Sequence, residues 1–533
     1  MAPYLGLRGK NLGFFVSFIC TTGFLLFGYD QGVMSGIITS DQFNHEIPQT
    51  KDNATMQGFV TAIYEIGCLA GAILVLLFGE KIGRRRSTIY GAIIMILGVI
   101  IQVTTYLGYS PLAQFTIGRI VMGVGNGMNT SSIPTYQAEC SKTKNRGLLI
   151  CIEGGSIAFG TLISYWLNYG VSFTGNDMVW RFPIAFQVIF CLIIIFGMMV
   201  CPESPRWLLA RNRDEEATQV IAALNDVAPD SELVKLEKRI ILDSMLATGE
   251  IGENSSKYKD LVTNGKTQHL RRVILGASSQ IMQQIGGCNA VIYYFPILMK
   301  KSIGMDRHMS LIMGGVNMIV YAIFATFSWF VIETTGRRKL FIWGTLGQMT
   351  SMIITFACLI PGTPAAGKGA AAGLFFYIAS FGATWLPLPW LYPAEINPLR
   401  TRGKANAIST INNWLFNFLI VMITPIMIER IQWGTYLFFA CVNACFIPFI
   451  YFFYPETKNR SLEEIDMIFA KGYTEGISYV KAAEDLPLLN PEQIEEYMVK
   501  YGFADEEKAG AGSSAASADK ARASPIEVVP KME

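Results

Sequence analysis

The chain has 533 residues, 51% of them hydrophobic and only 16% charged, with a mean hydropathy of +0.35. A balance this apolar excludes an ordinary soluble globule, and a formal net charge of +2, with its basic residues in short clusters, excludes a nucleic-acid surface. Ten cysteines without CxxC or Cys/His spacing, and three histidines (His45, His269, His308) without partners nearby in sequence, argue against a disulfide framework or metal centre, so neither cofactor nor metal is expected.

In chain order, residues 1–11 carry no signal-cleavage pattern and read as a short cytoplasmic arm. Apolar runs long enough to cross a bilayer follow near 12–33, 57–78, 87–107, 112–133, 147–168 and 182–201, forming a first half over 12–201. Residues 202–271 are polar and include "EEATQVIAALNDVAPDSELVKLEKRIILDSML", whose spacing predicts amphipathic helices in a cytoplasmic linker. A second half, 272–454, carries runs near 272–297, 309–331, 340–360, 371–393, 405–428 and 434–454. The tail 455–533 turns polar and ends in the low-complexity stretch "KAGAGSSAASADKARAS", which is expected to be disordered.

Lysine and arginine gather in "GEKIGRRR", "SKTKNR", the linker, "ETTGRRK" and "PLRTRGK", all on one side of this count. By the positive-inside rule that side is cytoplasmic, with both termini inside. The sequon at Asn53 falls on the opposite side and is the glycosylation candidate; those at Asn254 and Asn459 fall inside, and Asn129 lies within a span.

The sequence also repeats itself. Gly83 of "GEKIGRRR" and Gly336 of "IETTGRRK" are 253 positions apart, as are Pro202 of "PESPRW" and Pro455 of "PETKNR"; Glu139 and Arg146 recur as Glu395 and Arg402 at an offset of 256. Three motif pairs at nearly one offset predict an all-α membrane protein of twelve transmembrane helices in two pseudo-symmetric six-helix halves, with a site near midplane between them. The repeated charges have a mechanical reading. Arg84, Arg85, Arg337 and Arg338 are placed to pair with Glu139, Glu395, Glu203 and Glu456, with Arg146 and Arg402 nearby, as bridges holding an inner gate shut. The alternative is that they mark topology and cap helices.

One residue stands out. Asp30, in "LLFGYDQGVMSG", interrupts a run otherwise apolar or small from Leu12 to Ile38. A carboxylate facing hydrocarbon costs roughly 2.5 to 3.5 kcal/mol, so it is expected either to face a partner or water-filled cavity, or to cap a helix that has ended.

Taken together, "GYDQGVMSG", "GEKIGRRR", "GRIVMGVGNG", "PTYQAE", "PESPRWL", "QQIGGCN", "ETTGRRKL", "PAEINPLRTRGKA" and "PETKNRSLEEID" resemble the sugar porter family of the major facilitator superfamily, from about residue 12 to 468. "EGGSIAFGTLISYWLNYG" and "TWLPLPWLYPAEINPL" are most similar to the fungal group of glycerol/proton symporters and related monosaccharide carriers. The resemblance implies the major facilitator fold and a monomeric plasma-membrane symporter that imports a monosaccharide, hexose or pentose, with protons across the lipid bilayer by alternating access, or alternatively a glycerol or polyol/proton symporter. A sugar sensor is the rival reading; no arrangement of nucleophile and base, metal cluster or phosphate loop suggests an enzyme.

Hydroxyl-rich ligands need amides, phenols and an aromatic plane. "QIMQQIGGCNAVIYYF" supplies Gln283, Gln284, Asn289, Tyr293 and Tyr294 in one span, with Gly286-Gly287 placed to relax the helix between them. The resemblance adds Phe27, Asn317 and Trp390, the last as a ring-stacking or gate residue. It also pairs Asp30 with Arg119 of the fourth span in proton coupling. Three departures alter the expected hydrogen-bond set and keep a small polyol in play: Gly154 where the family has glutamine, Leu386 for glycine, and Asn413 for glutamine. Glu153, beside Gly154, is expected to be a substrate contact, a second proton carrier or a helix–helix hydrogen bond.

Overall fold

The computed structural model describes residues 3–106, 108, 110–141, 146–247, 258–398, 400–489, 493, 496, 497, 500 and 501. The Asn254 sequon and the low-complexity tail lie outside them. Among the described residues the first half comprises α1 (Gly9–Ile37), α2 (Ala54–Ile82), α3 (Arg84–Val103), α4 (Pro111–Cys140), α5 (Arg146–Val171) and α6 (Met178–Val200). The second half begins with a broken span, α7 (His269–Ile285) and α8 (Cys288–Ile303), followed by α9 (Arg307–Thr335) and α10 (Arg337–Leu359). A second interrupted span, α11 (Pro364–Ser380) and α12 (Leu388–Ile396), precedes α13 (Arg402–Arg430) and α14 (Gly434–Phe453). The spans therefore number twelve, six to a half, as the apolar runs predict. Among the described residues nine helices are long and apolar enough to cross a membrane. The others are broken at glycine, as in α7–α8, or carry many polar and small residues, as α4 does.

Helix ends follow local chemistry. Asn53 caps α2 by accepting from the Met56 N–H at 3.1 Å, and Asp306 and Thr363 do the same for α9 and α11. Gly83 ends α2 at φ +96° and Gly336 ends α9 at φ +97°, both with ψ 159°. The motif pair seen in sequence is thus also a pair in backbone conformation. A Cβ there would meet a Glu203 oxygen at 2.7 Å in one half and a Glu456 oxygen at 2.6 Å in the other.

Helices Pro205–Ala210, Asp214–Asn225 and Glu232–Ala247 form the linker, with Trp207, Val220 and Met245 in their own small core. Within the first half α1 packs on α5, and α4 packs on α2 and α3. The glycines of "GVGNG" permit this: Gly123 and Gly127 lie against the α2 backbone and Gly125 against α3. Between halves α2 packs along α13 and α5 along α9. The chain start, linker and the helix Leu462–Glu475 share one end of the bundle, the linker end; Asn53 marks the far end.

Candidate substrate and proton site

Asp30 sits inside α1, seven residues before its end and fully buried, so it is not a cap. The α2 helix brings Tyr64 to it, and the phenol donates to Asp30 Oδ2 at 2.9 Å. Arg119 on α4 is equally buried, lies 4.6 Å over the Tyr64 ring and donates from Nη2 to the Thr61 carbonyl at 3.0 Å. Among the described residues no ion pair joins Asp30 to Arg119 in this conformation. Tyr64 stands between, with its hydroxyl on the anion and its face under the cation, an arrangement its dipole and ring quadrupole both favour. Asp30 Oδ1 and Arg119 Nε and Nη1 make no hydrogen bond among the described residues.

The broken seventh span supplies the amides. Gly287 adopts φ +98°, which a side chain strongly disfavours, and the helix restarts at Cys288. The Gly286 carbonyl accepts from Tyr377 Oη at 2.8 Å and Asn443 Nδ2 at 3.0 Å, so buried partners stabilise the break. Around it runs a buried network. Asn289 Nδ2 donates to Gln284 Oε1 and, at 2.6 Å, to Asn417 Oδ1. Asn413 Nδ2 donates to Gln280 Oε1 at 2.5 Å and to Gln283 Oε1 at 3.3 Å. Gln283 Nε2 donates to the Trp385 carbonyl at 2.7 Å. That carbonyl lies in a π turn, Phe381–Trp385, closed by the Leu386 N–H on Phe381 O at 3.0 Å. Such turns recur at functional positions in helices.

Four of the expected substrate residues, Gln283, Gln284, Asn289 and Asn413, are therefore brought together. Phe27 lies 5.3 Å from Trp414 in an edge contact, and half-buried Trp390 lies 6.5 Å from Phe24. Asn317 on α9 is fully buried and neither end of its amide is hydrogen-bonded among the described residues. Tyr293 departs from the amide group, donating instead to Glu65 Oε1 of α2 at 2.6 Å. Sequence reasoning passed over Glu65, Tyr64, Gln280 and Asn417. Glu65 carried the same signal as Asp30, a lone carboxylate in an apolar run.

Glu153 on α5 is buried, and neither oxygen is hydrogen-bonded among the described residues. Helices α1 and α5 run side by side, with Gly28 against Ile157 and Gly32 against Ser164. That register sets Glu153 roughly 10 Å nearer the linker end than Asp30, at 1.5 Å per residue.

The repeated charges meet the carboxylates named for them in the sequence. Arg84 meets Glu139 at 3.2 Å, and Glu203 accepts from the Arg85 N–H at 3.1 Å. In the second half Arg337 meets Glu395 at 2.7 Å, and Glu456 accepts from the Arg337 and Arg338 N–H groups at 2.7 and 3.2 Å. Every one of these contacts closes within its own half, as a clasp at the linker end of each. The reason is local: Glu203 and Glu456 occupy the N-termini of α3 and α10, where free N–H groups and the helix dipole bind an anion. Burial raises the Glu203 carboxyl above the ordinary carboxylate range, partly opposed by hydrogen bonds from Arg85 and Ser204 and by the nearby guanidinium groups. Arg402 donates to the Asn397 carbonyl at 3.3 Å, and the Arg146 side chain lies outside the described residues.

A family model described as "Sugar (and other) transporter" matches residues 15–469. The chain belongs to the sugar transporter family. It is 46% identical over 509 residues to "Sugar transporter STL1" of Saccharomyces cerevisiae, covering 94% of this chain and 89% of that one. It is 44% identical to "Major facilitator superfamily transporter mfsA" of Aspergillus fumigatus, covering 92% of each. Among solved structures, the proton:xylose symporter XylE bound to 6-bromo-6-deoxy-D-glucose matches with a TM-score of 0.73 at 26% identity, over 86% of this chain and all of that one. The fold is that of the major facilitator superfamily, and a member of this transporter family is not an enzyme.

Proposed function

We propose that this sugar-transporter family member is a proton-coupled symporter that imports a monosaccharide, hexose or pentose, across the plasma membrane by alternating access. The observation that carries the reading is the Asp30–Tyr64–Arg119 cluster, a buried acid, phenol and guanidinium beside the helix break that gathers the amides. An acid that alternates between the two aqueous sides picks up a proton on one and gives it up on the other; Tyr64 and Arg119 stabilise its anionic form. The likeness to a proton:xylose symporter supports the same reading. The amide network and Asn317 would hold hydroxyls, with Phe27 and Trp390 against the apolar faces of the ligand. Glu153, set toward the linker end, would serve as a proton station on the release side. Both termini would be cytoplasmic, Asn53 glycosylated on the outside, and the unit a monomer.

A glycerol or polyol substrate is the second reading, favoured by one observation. Gln283 and Asn413 are already engaged with each other, with Gln280 and with the Trp385 carbonyl, which leaves few uncommitted groups and suits a compact ligand. Uptake of radiolabelled hexoses, pentoses and polyols by transporter-deficient cells, with and without a protonophore, tests both. Protonophore-sensitive uptake supports symport and the favoured substrate chooses between the readings; protonophore-insensitive uptake contradicts symport. Surface expression without uptake favours the sensor.

A further inference from the structure

Glu65 is the buried acid of α2, whose other acid, Glu80, is exposed at the linker end, and it contacts the opposite half. Its Oε1 accepts the Tyr293 phenol at 2.6 Å, and Tyr293 belongs to α8, the half-helix that starts at the Gly287 break. Its Oε2 makes no hydrogen bond among the described residues. The adjacent residue Tyr64 holds Asp30, so consecutive side chains of α2 grip the acid of α1 and the phenol of α8.

The charges around this point can be counted. Asp30 of α1 and Arg119 of α4 act electrostatically on Glu65; Tyr64 and Cys68 of α2 and Tyr293 and Tyr294 of α8 complete the titratable neighbours. The α13 residues packed on this stretch of α2, such as Asn417 and Val421, carry no charge. Two carboxylates therefore share one guanidinium in a region closed to solvent. With both acids ionised the closed region would hold a net negative charge, which a low-dielectric interior strongly disfavours. One proton on the pair makes it neutral.

We propose that Glu65 makes closure of the far end depend on uptake of one proton: as α8 closes on α2, Tyr293 docks on Glu65, and the Asp30–Glu65 pair takes a single proton from the far-side solution. Reopening separates Tyr293 from Glu65 and returns the pair to water, where both acids ionise. Glu65 is thus a positioning residue that fixes the proton count, and Tyr293 is the latch. The inference rests on the proton-coupled reading but goes beyond it, because it assigns the requirement to a pair of acids rather than to Asp30 alone.

The test needs no substrate. Bioorthogonal spin labels at Thr55 and Lys300, exposed at the far ends of α2 and α8, report closure of the full-length protein in nanodiscs by pulsed dipolar spectroscopy across a pH series. One proton per closure makes the closed-to-open ratio fall up to tenfold per pH unit as pH rises through the titration. Glu65→Gln, which leaves Asp30 balanced by Arg119, is expected to make that ratio independent of pH, and Asp30→Asn to do the same. Tyr293→Phe is expected to keep the slope but shift the ratio toward open by about tenfold to a hundredfold, the worth of one hydrogen bond to a charged group. A Glu65→Gln protein with the wild-type slope, or a wild-type ratio that ignores pH, overturns the proposal. Protonophore-sensitive uptake measured separately tests the symport reading, so either can fail without the other.

Discussion

The Tyr64 phenol donates to Asp30 at 2.9 Å while the Arg119 guanidinium lies over the same ring at 4.6 Å. Acid and base are thereby held near each other without an ion pair, so moving one helix changes the acid's surroundings without breaking a buried salt bridge, which would cost several kcal/mol. Asp30→Asn keeps the size and loses the titration. We expect it to abolish accumulation against a gradient while substrate exchange persists, as measured by net uptake against counterflow in the same vesicles. Retained accumulation would remove Asp30 from the coupling step.

The two glycines at the break separate cleanly. Gly287→Ala forces a side chain into φ +98° and within 2.9 Å of the Phe439 ring, so it should destabilise the fold by at least about 1–2 kcal/mol. Gly286 sits at φ −62°, where a Cβ would meet the Met282 carbonyl oxygen at 3.0 Å and Asn443 Oδ1 at 3.4 Å. Gly286→Ala should therefore cost less than Gly287→Ala, because it needs a shift of a few tenths of an ångström but no strained φ. Thermal unfolding of the two purified variants in detergent reads the difference.

The clasps predict unequal costs from equivalent sequence positions. The Arg337 side chain is 5% exposed and binds both Glu395 and Glu333, whereas that of Arg84 is 20% exposed. Arg337→Ala removes the more deeply buried guanidinium and leaves half-buried Glu395 with its Thr457 hydrogen bond, so it should cost up to about 3 kcal/mol. Arg84→Ala should cost about 1 kcal/mol, nearer to a surface pair. Comparable losses in melting temperature would contradict the packing described.

Glu153 offers an opposite sign. A buried carboxylate with no hydrogen bond among the described residues opposes folding when ionised, so Glu153→Gln should raise the melting temperature at neutral pH. If it is the release-side proton station, the same variant should slow net uptake and leave exchange intact. A more stable protein with unchanged uptake would leave Glu153 without a part in the cycle.

Much of the architecture was legible because the bilayer writes its constraints into composition. Twelve runs, the 253-residue offset and the Gly286-Gly287 break each reappear as helices, as matched φ values at Gly83 and Gly336, and as the α7–α8 interruption. Partner choice was not legible. Asp30 and Arg119 were named, but that an aromatic ring would separate them depends on the rotation of α2 against α4, which no spacing within one helix determines. The charge motifs named the partners but not that each set would close inside its own half. The clasps close locally because a helix N-terminus lies nearer than the opposite half. Glu65 carries no motif, only an apolar setting, and its partner Tyr293 lies on the other half, which no local spacing reveals.

The central claim is that protons travel with the substrate. Purified protein in liposomes, given external glycerol or D-xylose without an imposed gradient, should alkalinise the weakly buffered medium in step with substrate entry. A protonophore should abolish accumulation driven by an imposed pH gradient, and Asp30→Asn should abolish the alkalinisation. Substrate entry with no proton movement, at equal rates in wild type and Asp30→Asn, would contradict the account.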